Sequence, residues 1–225
     1  MSASSISKNI KTLYSVDFTT DCPKRRKGKA CKYCYVECAR NVNFNAKKIH
    51  NYLSYKREIL GFRKSTIDTL NSVGGIRLFS FGDYMPEHDA DIRQFLDDCE
   101  YVGLKVKVIT KQLMFVLKYN DHPAINVINI SVDNVGDGVN WKLAKIFREK
   151  FSNVKIRCAI MKDEDIEALS FVDIFTFNHS RGLKKYGYKK YKKAEVKEWH
   201  KKLDGKVCCF SGKCSDCELK CGSEM

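Results

Sequence analysis

The 225-residue chain carries 41 Lys and Arg against 27 Asp and Glu, a formal net charge of +14, with 44% hydrophobic and 30% charged residues. That is the composition of a globular core large enough for one domain and a small appendage, and it excludes a disordered or fibrous chain. No apolar run approaches the ~18 residues that span a bilayer, and the N-terminal MSASSISKNIK lacks an apolar signal core. The expectation is a cytoplasmic protein with no membrane partner.

Taken in order, the chain begins with an apolar run at Leu13–Phe18, read as a short buried strand. Asp21 to Arg40 follows, with Cys22, Cys31, Cys34 and Cys38 inside it, and then a long helical pattern from about Ala46 to Leu70. Ile76–Phe81 predicts a strand ending at Gly82-Asp83. Pro86–Tyr101 predicts an amphipathic helix with Pro86 near its start, acids in its first turn, and Gly103 as its stop. Strands at Lys105–Thr110, Asn126–Val132, Val154–Ile160 and Val172–Phe177 alternate with helices at Gln112–Tyr119, at Asn140–Phe151 and from Asp163.

Strand runs separated by helices predict βαβ units, hence an α/β fold with a parallel sheet and right-handed crossovers. An open sheet and a partial (β/α)6 barrel both satisfy the pattern, and both place chemistry at the carboxyl ends of the strands. There the sequence offers the Cys22–Cys34 loop, Gly82-Asp83, Thr110-Lys111, Ser131 to Asn134, Met161-Lys162 and Asn178-His179. It has neither GxGxxG nor a P-loop, so no dinucleotide or Walker-type site is supported.

From Arg181 the composition changes. Arg181 to Lys206 holds eleven Lys and Arg against three acids, interleaved with Tyr186, Tyr188, Tyr191 and Trp199. Such a segment can track a phosphate backbone with its tyrosines stacked on bases. Equally, it can be a helix whose lysines face water while its aromatics pack inward. The division expected is a barrel-like unit over 1–180 and a basic segment with a cysteine-rich tail over 181–225.

Nine of the eleven cysteines lie in two clusters, and in a reducing compartment clustered cysteines mean metal rather than disulfides. Cys99 and Cys158 stand alone in apolar patterns and are read as buried small hydrophobes. In the tail, Cys209, Cys214, Cys217 and Cys221 form C-x4-C-x2-C-x3-C, a complete ligand set for a [4Fe–4S] cluster or structural zinc, with Cys208 able to replace Cys209. In the first cluster, Cys31 and Cys34 form a C-x2-C pair on one turn and Cys22 can fold back across a loop. Three thiolates leave one iron of a cube open to an amino-carboxylate, whereas all four cysteines with Cys38 suit closed zinc. Lys24, Arg25, Arg26, Lys27, Lys29 and Lys32 favour thiolates and an anionic cluster.

The Cys31-Lys32-Tyr33-Cys34-Tyr35 segment resembles half of the radical SAM signature. With Cys22-Pro23, Ser80-Phe81-Gly82-Asp83 and Thr110-Lys111, the arrangement is similar to the compact, phage- and mobile-element-type radical-SAM-like proteins. Eight residues separate Cys22 from Cys31, where the common spacing has three. The resemblance covers about residues 13 to 180 plus the cysteine-rich end. It implies a partial barrel, a [4Fe–4S] cluster on Cys22, Cys31 and Cys34, S-adenosylmethionine as cofactor, and an electron donor as partner. It also implies Gly82 and Asp83 near the methionyl amino group, and Ser131 and Asp133 near the ribose or the methionyl carboxylate. The basic balance points to nucleic acid or a nucleotide as substrate, with a peptide as the competing class. The rival function is a non-enzymatic, zinc-stapled nucleic-acid-binding protein.

Overall fold

The computed structural model describes residues 7–9, 13–18, 56, 58–79, 82–133, 141–160, 171–177 and 191–203. Seven strands form a single sheet in sequence order: β1 (Ser7–Asn9), β2 (Leu13–Val16), β3 (Ile76–Leu78), β4 (Val106–Thr110), β5 (Ile125–Asp133), β6 (Val154–Ile160) and β7 (Ile174–Phe177). β1 pairs antiparallel with β2, and every later pair is parallel. The fold is therefore α/β with a six-strand, all-parallel sheet, as the alternation predicts. β1 escapes the pattern because Ser7-Lys8-Asn9 is short and polar.

Five helices are described: α1 (Lys64–Ser72), α2 (Asp89–Tyr101), α3 (Leu113–Tyr119), α4 (Trp141–Lys150) and α5 (Lys193–Lys202). In α2, Ile92, Phe95, Leu96 and Cys99 recur at helical spacing and are buried, after a 3-10 turn at Pro86–His88. Gly103, at φ +72°, stops α2 in a left-handed step, with Gly103 N bonded to Glu100 O and Leu104 N to Cys99 O. The long helix expected over 46–70 is interrupted. The chain turns at Gly61–Arg63, and Arg63, in an extended conformation, begins the new helix α1. Glycine is a poor helix former, which explains a break at Gly61; residues 46–55 lie outside the described set.

Right-handed crossovers between strands that are neighbours in both sequence and space place their helices on one face of the sheet. The side chains agree. Val16, Leu78, Val108, Ile130, Ile156 and Phe175, on successive strands, belong to one core with Leu70, Phe95, Phe115 and Ala144 from the helices. That core continues past residue 180. Tyr191 and Val196 are buried in it, and Trp199 of α5 stacks on Phe177 of β7 at 6.3 Å. Two of the four aromatics of the basic segment are thus spent inward, while Lys197, Lys201 and Lys202 face solvent.

The amino ends of the strands are closed by tight turns. Asn71 at the end of α1 donates to Gly103 O and accepts from Lys105 N, at 2.9 and 2.8 Å. Gly75, at φ +104°, brings the backbone so close to Lys105 that an added Cβ would lie 2.0 Å from its carbonyl oxygen. Among the described residues, no helix is long and apolar enough to cross a membrane.

Candidate functional site

Along each strand, residues alternating with the core set point to the opposite face. That face carries Ser15 and Asp17 on β2 and its extension, Arg77 on β3, Lys107 on β4, Asn129 and Ser131 on β5, and Lys155 and Arg157 on β6. Register aligns them in rows: Ser15 with Arg77 and Lys107, Asn129 with Lys155, and Ser131 with Arg157. Most are buried, Lys107 to 1% exposure and Asn129 to 0%. A charged or amide group so enclosed costs free energy unless hydrogen-bonded. Lys107 Nζ donates to Val73 O at 2.7 Å, capping the end of α1, and Arg77 Nη2 donates to Phe79 O at 3.4 Å. Asn129 Nδ2 reaches Val108 O at 3.4 Å, but among the described residues its buried Oδ1 has no hydrogen-bond partner.

At the carboxyl edge, two carboxylates tie β2, β3 and β4 together. Asp17, just beyond β2, accepts from Gly82 N at 3.2 Å. Asp83 accepts from Thr110 Oγ1 and Tyr84 N on Oδ1, and from Lys111 N at 2.9 Å on Oδ2. Thr110 Oγ1 in turn accepts from Gln112 N at 2.9 Å, at the start of α3. Burial pushes the Asp83 carboxyl above its ordinary range, and the bonds from Thr110, Lys111 and Tyr84 offset only part of that. Between Leu78 and this latch, Phe79 has φ +65°, rare for a bulky residue and costing about 1–3 kcal/mol. The step turns Phe79 into the helix-side core, where its ring meets Phe115 edge-on at 5.3 Å.

Of the residues singled out in the sequence, Gly82 and Asp83 stand in this latch and Ser131 on the polar face beside Arg157. Asp133 pairs with Ala159 at the end of β5. The latch joins Gly82-Asp83 directly to Thr110-Lys111. Cys22, Cys31, Cys34, Cys38, Cys208, Cys209, Cys214, Cys217 and Cys221 lie outside the described residues, as do Asn178 and His179. Cys99 and Cys158 are buried thiols, as read, and burial together with neighbouring Asp98 holds Cys99 well above the usual thiol range. Sequence reasoning missed Asp17, Asn129, Lys155 and Arg157. Their signal is a polar residue at every second position of otherwise apolar strands, as in Val154-Lys155-Ile156-Arg157-Cys158.

Elsewhere among the described residues, Asp97, Glu100 and His122 can bring ligand atoms within 4.8 Å of one another, but this exposed grouping sits on the helix layer, where His122 Nε2 is bonded to Asp97 at 3.1 Å. Compared with known proteins, the chain matches no family model and no curated sequence.

Proposed function

We propose that the chain is a radical SAM enzyme on a partial (β/α)6 barrel, with Cys22, Cys31 and Cys34 holding a [4Fe–4S] cluster and S-adenosylmethionine bound beside it. One contact carries the reading. Two motifs behind the resemblance, Gly82-Asp83 and Thr110-Lys111, are hydrogen-bonded to each other, and Gly82 is bonded to Asp17 on the strand that leads to Cys22. The sequential sheet with polar groups gathered on one face supports it, since a curled, singly wound sheet needs helices on one side only.

The donor set fits the cofactor. S-adenosylmethionine presents an ammonium, a carboxylate and ribose hydroxyls. Among the described residues, Asp83 Oδ2 accepts one hydrogen bond, which leaves a lone pair for an ammonium. A cation there would offset the burial that raises this carboxyl. The Ser131 hydroxyl and the Asp133 position, on the carboxyl half of β5, suit the ribose or the methionyl carboxylate. When bound, cluster and cofactor together supply one-electron cleavage of the sulfonium to a 5′-deoxyadenosyl radical. The chain's own task is to position the substrate and exclude water. In this reading Cys209, Cys214, Cys217 and Cys221 hold a second [4Fe–4S] cluster or zinc, an electron donor is a partner, and the substrate is a nucleic acid or nucleotide.

The test is anaerobic reconstitution with metal analysis, then EPR of the reduced protein with and without S-adenosylmethionine. A [4Fe–4S] signal that changes on adding the cofactor is expected. Replacing Cys22, Cys31 or Cys34 by Ala should abolish cofactor cleavage, whereas Cys38→Ala should retain it. Stoichiometric zinc without iron, or normal cleavage by Cys31→Ala, would overturn the reading and favour the zinc-stapled binding protein.

A further inference from the structure

We infer that the polar wall formed by β5 and β6 is the anion-recognising part of the substrate site, and that the substrate is a phosphate-bearing, hydroxylated small molecule of the nucleotide class. The inference rests on the enzyme reading above and names the substrate class for it.

Three side chains carry it. Register sets Asn129 directly opposite Lys155, and Arg157 is the next residue of β6 on the same face. Lys155 and Arg157 are two residues apart on one strand, about 6.6 Å along it. An ammonium and a guanidinium at that spacing can close on one phosphate, the guanidinium through two of its N–H groups. Beside them, the Asn129 Oδ1 is buried without a partner among the described residues. An unmet buried carbonyl costs about 1–3 kcal/mol, a cost removed when a ligand's hydroxyl or N–H donates to it. A phosphate next to a hydroxyl or a base N–H is the chemistry of a nucleotide.

Charge separates this ligand from the cofactor. S-adenosylmethionine has a sulfonium and an ammonium against one carboxylate, so Lys155 and Arg157 suit a phosphate and not its two cationic groups. The wall also favours a small molecule over a polymer. Asn129 is fully enclosed in the interior of β5, and a continuous nucleic-acid strand would have to unstack and thread to reach it.

The test is calorimetric titration of the full-length, reconstituted protein, saturated with S-adenosylmethionine, with each of the four ribonucleoside 5′-monophosphates and their nucleosides. At least one monophosphate should bind, with its nucleoside about tenfold weaker or worse, the value of one charge-assisted bond. Lys155→Gln should weaken the monophosphate by about tenfold, and Lys155→Arg should restore it. Lys155 is only half-buried, so both variants should melt like the parent chain. Three results would each overturn the inference: no monophosphate binds, nucleoside and monophosphate bind alike, or Lys155→Gln weakens S-adenosylmethionine in place of the monophosphate. Monophosphate binding without an EPR response to S-adenosylmethionine would keep the anion site and remove the radical reading.

Discussion

The two faces of the parallel sheet obey opposite rules. On the helix side, Val106 and Val108 of β4, Ile128 and Ile130 of β5, and Ile156 and Cys158 of β6 pack into one apolar core. On the other side, the same strands present Lys107, Asn129, Ser131, Lys155 and Arg157. A parallel sheet covered by helices on both faces has near-continuous apolar strands. Here the alternation is partial: the polar side chains share their face with the buried Ile109, Val127 and Ile174. The difference divides the labour: the helix face supplies cohesion, and the opposite face encloses polar groups at some cost.

The largest expected effect tests the cohesive side. Phe115 of α3 is fully buried, and its ring meets those of Phe79, Tyr84 and Tyr119 at 5.3, 5.8 and 5.1 Å. Phe115→Ala should cost about 3–5 kcal/mol and lower the melting temperature by roughly 10 °C. It should also loosen Phe79, and with it the segment that delivers Gly82 and Asp83. A thermal melt by circular dichroism checks this, and a fall as small as that of a surface variant would show that the core does not depend on this ring cluster.

A smaller effect distinguishes two acids of opposite character. Asp83, in the latch, has its carboxyl raised by burial, so the folded state holds its proton more tightly than the unfolded one does. Its contribution is fully present below the ordinary carboxylate range and is lost as pH rises through the raised folded value. Asp89, at the start of α2, accepts from Tyr84 Oη, Tyr119 Oη and Lys118 Nζ at 2.7, 2.8 and 2.8 Å. Burial alone would raise it, but Lys118 and the two phenols outweigh that and bring it below the usual range. Its contribution is present above the ordinary carboxylate range and is lost as pH falls through the lowered folded value. Urea unfolding across a pH series should therefore show Asp89→Asn removing part of the acid-side loss and Asp83→Asn removing part of the fall on the way to neutral pH. The same pH dependence in both variants would contradict these assignments.

The fold was largely legible because it rests on local pattern. The β6 bounds, Val154–Ile160, match the sequence reading, and the starts and stops of α2 follow from Pro86 and Gly103. A partly polar second face is written in Lys105-Val106-Lys107-Val108 and Val154-Lys155-Ile156-Arg157, though sequence reasoning missed its Asn129, Lys155 and Arg157. That alternation favours a singly wound sheet, a choice between open sheet and barrel that strand counting alone leaves open. The latch was not legible. Asp17 and Gly82 are 65 residues apart, and Asp83 and Thr110 are 27 apart. Nothing in a local window pairs them; only the parallel stacking of β2, β3 and β4 brings their carboxyl ends into reach. The cysteine assignments rest on spacing and chemistry alone.

The smallest stability effect bears most directly on the division between the faces. Asn129→Leu replaces an amide whose Oδ1 is buried and unbonded, and whose Nδ2 makes one long 3.4 Å contact, by an apolar group of similar volume. Removing an unsatisfied polar group in this way is near neutral or stabilising, within about 1 kcal/mol, so the melting temperature should hold or rise by a few degrees. If the polar face is held for a ligand, the same substitution should abolish the donor contact and weaken nucleoside monophosphate binding by about tenfold. Unchanged binding with a gain in stability would mean that Asn129 serves neither face. A large loss of stability would mean that the amide is structural and that the polar face, like the apolar one, exists to hold the sheet together.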